Sequence, residues 1–503
     1  MQMSNIRVTY SGLLGFIIGM ISVITGIVFT LIVTRRLSPE EFGVWALIGS
    51  VISYFLIVEP ILSYWTTRQI ARGESVATTS LFYSTLFSLG QVPIYLSLAF
   101  YLPSINPDYS YSLMLAAILL PVTFVSQTLV GINQGHKPHA TSYGFLAFEL
   151  LKIPAGILFV VLFDLGVNGA IFATFVAYVG RLTTQLYFAK PQLKKQLKFS
   201  LIKQWIKTSW IPLYHNLSHV IWALDVVIFS IITNSVIGIA YYSVSLTISA
   251  IISHAGMISQ ALYPKLLSNG SQTHVQDNFI RFMYFAIPLL GIVIIFSRPA
   301  LFLLNPLYEH LSIPVIFLGF RSFFYVITSF FYQVLLGTER VDEENTHHFK
   351  SLIKSKLFHL PTVNLIHHSS YIIILAISTF LLTEQNISDL ELVTIWTSIS
   401  LLLSVPFLIY SIILLKKDMT FSLHYSTLLK YLVGTIGMII VFLLTSDFII
   451  FYKISIYEFL PGAIIEFVLC ILTYLGITYL IDNKTRILFR AIVVEFMPKK
   501  HSI

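Results

Sequence analysis

The chain alternates between long apolar stretches and short polar ones, and the apolar stretches are long. A helix needs about 20 consecutive apolar residues to cross the hydrocarbon core of a bilayer. On that measure the sequence predicts fourteen spans, at approximately 11–34, 42–66, 78–102, 110–132, 140–163, 167–189, 209–232, 236–262, 282–304, 311–336, 358–382, 392–415, 430–452 and 459–481. The polar breaks carry local signals. In RRLSPEEFGVWAL (35–47), Ser38 is placed to cap a helix that has Pro39 at its first position and Glu41 at its third, which predicts a turn and a helix start. The longest breaks are 190–207 and 337–357. In the former, Leu193, Leu197, Leu201 and Trp205 recur every fourth residue with lysines between them, the pattern of an amphipathic helix lying on a membrane surface.

Composition agrees with this pattern. The 503 residues are 56% hydrophobic and 11% charged, against about 25% charged in an average soluble domain. So little polarity cannot cover a water-soluble surface, and the fold class expected is an all-α polytopic membrane protein. Of the 31 Lys and Arg, 24 fall in alternate segments that share one side, four (Arg35, Arg36, Arg298, Lys453) fall on the other, and three lie within spans. The positive-inside bias then places both termini and 66–74 in the cytoplasm, and 35–47 at the outer face. The net charge of +8 is spread over these short inner segments, which excludes a nucleic-acid partner. Cys470 is the single cysteine, so neither a disulfide framework nor a cysteine-based metal site is available. The first apolar run is too long for the core of a cleavable signal.

A repeat organises the spans. FGVWALIGSVIS (42–53) corresponds to IGIAYYSVSLTIS (237–249), LVG (129–131) to LLG (335–337), and LKIP (151–154) to FHLP (358–361). Six spans separate each pair, so the halves share one orientation, as in transporters built from two lobes about an axis along the membrane normal. The expected organisation is an N-lobe at 1–189, a cytoplasmic linker at 190–207, a C-lobe at 208–415, and an added helix pair with a cytoplasmic tail at 416–503. Nine prolines fall inside spans: Pro60, Pro93, Pro121, Pro154, Pro212, Pro288, Pro314, Pro361 and Pro406. Kinked backbone at membrane depth is tolerated where it is packed in protein or lines a cavity, which suits a moving transporter better than a pore.

The first outer turn PEEFG, DLGVNGAIFA (164–173), DVVIFSIITNSVIGIAYYS (225–243) and ALYPKLLS (261–268) together resemble the polysaccharide-transporter branch of the MOP flippase superfamily, which includes the Wzx-type flippases. The resemblance covers spans one to about ten and rests on span count beyond them. It implies two six-helix lobes around a central cavity, and a polyprenyl- or dolichyl-(pyro)phosphate-linked oligosaccharide as the substrate turned from inner to outer leaflet. Membrane lipids and glycan-assembly proteins are then the expected partners. No cofactor is expected, with drive coming from a Na+ or H+ gradient or the membrane potential.

Such a substrate needs cations for its phosphate and polar or aromatic groups for its sugars. Intramembrane charges mark functional places because they are expensive; here they are Glu59, Glu149, Lys152, Arg181, Asp225, Arg321 and Glu466. Lys152 and Arg321, near mid-depth in spans five and ten, are the first candidates for phosphate, with Arg181 and His359 as further substrate-binding candidates. Lys152 could instead neutralise Glu149, three residues away on one helix face, and Arg181 could snorkel to the surface. Asp225, at the acidic position implied by the resemblance, and Glu59, just before Pro60, are candidates for ion coupling. His367 and His368 are candidates for contact with glycan or a proton. His215 and His219 have metal-face spacing without a third ligand, and DLE (389–391) is a lone D-x-E in a short outer loop, so no metal site is expected. GINQGHK (131–137) lacks phosphate-loop spacing.

The expectation is a flippase of the cytoplasmic membrane and not an enzyme. Its rivals are a multidrug exporter or peptidoglycan-precursor flippase of the same fold, and a membrane glycosyltransferase, polymerase or ligase. Exporters of the superfamily typically lack the added pair, and the enzymes need a large outer loop bearing catalytic groups. Orientation is testable directly. Cysteines at Ser38 and Ser388 should react with an impermeant reagent added outside intact cells, and cysteines at Ser75 and Ser351 should not; the reverse labelling would invert the topology.

Overall fold

The computed structural model describes residues 8–37, 45, 48–49, 51–101, 110–194, 197–233, 236–268, 273–304, 306–341, 353–383, 385, 387–419, 421, 424–453 and 455–487. Among them there are helices and turns and no strand, so the protein is all-α and multi-pass. Among the described residues, ten helices are long and apolar enough to cross a membrane. The other four expected spans correspond to helices that are broken, carry more polar residues or run into undescribed ones. The 51–71 segment changes to a three-residue 3-10 turn at Leu56–Val58 just before Pro60, whose ring lacks an N–H. The seventh splits into Trp210–Trp222 and Asp225–Thr233. Gly166–Ala189 is continuous but carries Asn168, Arg181, Thr183, Thr184 and Gln185. The first is a helix at Val8–Arg36. The cap expected at Ser38, Pro39 and Glu41, and most of 42–50, lie outside the described residues.

Motifs in the sequence correspond to local constraints. Pro154 sits inside His139–Gly156, and the helix continues as a π-turn at Ile157–Leu162, where the Phe163 N–H reaches back to the Leu158 carbonyl at 2.9 Å. DLG then reverses the chain with Asp164 at φ 50° and Gly166 at φ 54°, a region that Asp tolerates and Gly enters freely. In DLE, Glu391 closes a capping box with Ser388: the Ser388 N–H donates to Glu391 Oε2 at 3.1 Å, and the Glu391 N–H donates to Ser388 Oγ. That carboxylate starts the Asp389–Asp418 helix.

The chain forms two compact units. One comprises Met1–Leu217, Gln260–Gly270 and Gly337–Pro361; the other comprises Ser218–Ser259, Ser271–Leu336 and Thr362–Ile503. In the first unit, Arg68 ties in its two short excursions. It is fully buried, and its guanidinium donates to Tyr263 Oη at 3.1 Å and to the Glu339 carbonyl at 3.2 Å, which Arg72 also reaches. Arg340 donates to the carbonyls of Leu266 and Leu267, the last of the Leu262–Leu267 helix, and so satisfies acceptors left open by the helix end. The Glu339 carboxylate accepts the N–H groups of Arg340, Val341 and Lys356, which fixes the path of this segment.

The linker is shorter as a helix than its four-residue pattern predicts. Residues 190–194 are 3-10, Lys198 is non-helical with its N–H bonded to Thr79, and only Phe199–Lys207 is α-helical. Leu193 and Leu197 are therefore outside that helix. Trp205 is buried and donates to Gln69 Oε1 at 3.2 Å, while Phe199 and Ile206 remain exposed.

In the second unit the added helices, Tyr425–Ile449 and Ile456–Ile481, pack on each other and on Thr273–Ile295. Tyr474 Oη donates to the Tyr284 carbonyl at 2.6 Å, and Lys430 pairs with Asp482 at 3.2 Å.

LVG and LLG both place glycine at a close helix approach. A Cβ on Gly131 would lie 3.0 Å from Ser63 Cβ, and one on Gly337 would lie 2.9 Å from Leu266 Cβ. Overpacking of this kind costs about 1–3 kcal/mol. Gly131→Ala and Gly337→Ala should each lower the unfolding temperature of detergent-solubilised protein; wild-type stability in both would show that these contacts are loose.

Candidate functional site

In the second unit, Asp225 stands at the start of its helix, 4% exposed, and its Oδ2 accepts from Tyr242 Oη at 2.9 Å and Tyr371 Oη at 3.0 Å. Tyr371 Oη in turn accepts from Trp396 Nε1 at 2.7 Å. Tyr242 stacks on Trp396 at 3.7 Å, and Phe229 stacks on it at 4.4 Å. Both ends of the motif 225–243 thus meet in one buried network. The sequence singled out Asp225 but not its two tyrosines.

Next to this network is a pocket lined by Trp222, Arg321, Tyr325, His367 and Phe407, with the hydroxyls of Thr328, Tyr371, Ser400 and Ser404. Arg321 lies near the middle of the Tyr308–Gly337 helix, and its guanidinium carbon sits 4.6 Å from the centre of the Trp222 ring. Among the described residues it forms no ion pair with a carboxylate. His367 stacks on Phe407 at 4.4 Å with an interplanar angle of 6°. Trp222 Nε1 has no hydrogen-bond partner among the described residues. His368, next to His367 in the chain, has its Nδ1 2.6 Å from the Ser218 carbonyl.

In the first unit, Glu59 is buried before Pro60 and accepts from Ser63 Oγ and Thr128 Oγ1, both at 2.8 Å. Thr128 is also 2.9 Å from Ser84 Oγ. Glu149 does not pair with Lys152. It turns to the first helix, where Ser22 Oγ and Thr25 Oγ1 donate to it at 2.9 and 2.6 Å. Lys152 occupies another direction, its Nζ 4.7 Å from the Phe29 ring centre and 5.4 Å from that of Phe148. The three-residue spacing allowed an ion pair, but the hydroxyls of Ser22 and Thr25 take the carboxylate instead. Arg181 makes one long contact, 3.4 Å to Gln127 Oε1.

His359 lies exposed in the first turn of Lys356–Thr383, away from mid-helix. Arg321, His367 and Trp222 therefore come together, while Lys152, Arg181 and Glu59 belong to the first unit. The side chains of His215 and His219 lie outside the described residues. No group of three metal-ligating side chains forms among those described.

No family model and no curated protein sequence matches the chain. Solved structures do. A MATE structure in the straight conformation superposes with a TM-score of 0.63 at 14% identity, over 82% of this chain and 96% of that one. The outward-facing conformation of a multidrug resistance MATE family transporter of the MOP superfamily gives 0.64 at 13% identity, over 82% and 95%. A MOP superfamily transporter from Pyrococcus furiosus, for which a reverse polarity of the binding pocket suggests a different function, gives 0.61 at 14% identity, over 81% and 95%. At such identities the likeness is one of fold, and the fold is that of MATE-like transporters of the MOP superfamily.

The separation of Glu149 from Lys152 is measurable. In a double-mutant cycle on stability, Glu149→Gln and Lys152→Met should couple by about 1 kcal/mol or less, the worth of two charges that interact without touching. A coupling near the roughly 3–5 kcal/mol lost on breaking a buried ion pair would overturn the geometry.

Proposed function

We propose that this MATE-like membrane protein is a flippase that carries a lipid-linked oligosaccharide from the inner to the outer leaflet by alternating access. The observation that carries the reading is Arg321, a mid-span cation set on an aromatic ring with no carboxylate paired to it among the described residues. A cation held in this way keeps its donors for an anionic ligand, and Arg offers a phosphate two parallel hydrogen bonds. Lys152 supplies a second such charge in the first unit. The polyprenyl or dolichyl phosphate or pyrophosphate of a glycan carrier is the anion that also belongs in a bilayer.

The multidrug exporter is compatible with the same fold. It fits the Arg321 pocket less well, because a cationic drug would meet a fixed guanidinium there. The MOP superfamily transporter from Pyrococcus furiosus, which has a similar fold, is itself described by a reverse polarity of its binding pocket that suggests a different function. Asp225 and Glu59 are assigned to binding the driving cation, each being a buried carboxylate reached by hydroxyl groups. The positive-inside bias supports a plasma-membrane protein with both termini in the cytoplasm. Glycan-assembly proteins remain the expected partners, and the chain acts as a transporter rather than an enzyme.

The test is reconstitution in liposomes with lipid-linked glycans, scoring their appearance in the outer leaflet under Na+, H+ or potential gradients. Arg321→Ala should lower substrate affinity about ten- to hundredfold, the worth of a charge-assisted contact of roughly 1.5–3 kcal/mol. Arg321→Lys should recover only part of it. Near-normal flipping by Arg321→Ala together with Lys152→Ala would rule the reading out, and transport of cationic drugs in place of glycolipid would favour the exporter.

A further inference from the structure

The linker at 190–207 carries charge of one sign. It holds six lysines, and no Asp or Glu occurs anywhere from 165 to 224. Its helix, Phe199–Lys207, packs on the helices Pro60–Ala71 and Ala77–Tyr101. Only one side of it is used for that. Successive residues on a helix point about 100° apart, so Leu201, Gln204 and the buried Trp205 share the inner side, where Trp205 donates to Gln69. The opposite side is exposed and divided lengthwise. Phe199 and Ile206, 62% and 54% exposed, form one edge, and Lys203 and Lys207 form the other. Lys190 and Lys198 are exposed as well, and none of these four side chains has an ion-pair partner among the described residues.

The helix also lies level with the ends of two spans. The Phe199 ring meets Phe82 edge-on, with centroids 6.4 Å apart at 88°. Phe82 stands half exposed in the second turn of the span Ala77–Phe100. Tyr187, exposed in the last turn of Gly166–Ala189, is three residues before Lys190. Aromatic rings beside lysines at the end of a span are the composition of a membrane–water interface.

We propose that the outward side of this helix is a binding surface for anionic phospholipid headgroups, in the leaflet at that end of the spans. Phe199 and Ile206 enter the boundary between headgroups and acyl chains, and the four lysines meet the lipid phosphates. A zwitterionic lipid satisfies the apolar edge and cancels little of the lysine charge, whereas an anionic lipid matches both. The inference needs the chain to sit in a bilayer and is independent of the flippase reading.

The experiment uses the purified full-length protein in a detergent with a neutral headgroup. An environment-sensitive fluorophore is placed on Ser200→Cys, with Cys470→Ser as background. The probes are short-chain phosphatidylglycerol and a phosphatidylcholine of the same chains. Phosphatidylglycerol should shift the emission to the blue and saturate, and phosphatidylcholine should need at least about tenfold more. Lys203→Gln with Lys207→Gln should weaken phosphatidylglycerol binding about tenfold or more, since each lysine near an anionic surface contributes about fivefold. Arg at both positions should bind as wild type does. Lys416→Gln with Lys417→Gln, an equal loss of exposed charge at the end of Asp389–Asp418, should change the affinity less than about twofold, and about 1 M salt should remove the lipid preference. Equal affinity for the two lipids would overturn the proposal. So would equal losses in the two Gln pairs, which would reduce the effect to net charge. Should the Lys203 and Lys207 double variant not fold, Lys203→Gln alone decides: about a fivefold loss supports the surface, and unchanged binding sinks it.

Discussion

A charge placed among apolar helices must be stabilised without bulk water, and the way each one is stabilised decides what it can still do. In this protein the acids and the bases find different solutions. Glu59 and Glu149 accept hydrogen bonds from hydroxyls on neighbouring helices, and Asp225 accepts from two tyrosines. Lys152 and Arg321 sit against aromatic rings. A cation–π contact gives about 0.5–2 kcal/mol, enough to orient the group and much less than a buried carboxylate would gain by seizing it. Direct ion pairing between these groups would have spent the charges on each other. Hydroxyls and rings hold them and leave the cations able to take an anion.

The same solution builds the packing. Asp225 gathers Tyr242 and Tyr371, Tyr371 gathers Trp396, and the stacked rings of Tyr242, Trp396 and Phe229 form a core cluster in the second unit. One carboxylate therefore determines where three aromatic side chains stand. The Arg321 pocket borders that network through Tyr371, so its wall is held by hydrogen bonds whose acceptor lies outside it. Arg68 does comparable work in the first unit with neutral acceptors, a tyrosine hydroxyl and a backbone carbonyl. The Glu339 carboxylate is thereby left free to shape its own segment through three N–H groups.

Much of this was legible in the sequence because the signals were local. Apolar run length gives the helices, and Pro93, Pro154, Pro288, Pro361 and Pro406 sit inside them, whereas Pro60 stands at the first position of its helix. The DLG and LVG motifs mark a tight turn and a close helix approach, needs that a short string can express. What was not legible depends on partners far apart in the chain. A Glu149–Lys152 pair stayed open as an alternative because spacing along one helix is visible, whereas Ser22 and Thr25 lie more than a hundred residues away. The linker pattern of Leu193, Leu197, Leu201 and Trp205 reads as one helix and could not foresee that Lys198 is non-helical and bonds Thr79. Arg68 read as one more inner-face positive charge; nothing near it in sequence announces Tyr263.

Trp222 shows why pocket chemistry is the hardest part to read ahead. As one more aromatic residue in an apolar run it carries no signal, yet in the fold it lies under Arg321 and keeps its own N–H unspent. His367 and His368 are adjacent, and the sequence treats them alike. The fold separates them, because successive residues on a helix point about 100° apart: one ring nitrogen of His368 meets the Ser218 carbonyl, while His367 lies flat on Phe407. What distinguishes them is a partner 150 residues away in the chain, which no local pattern around His368 announces.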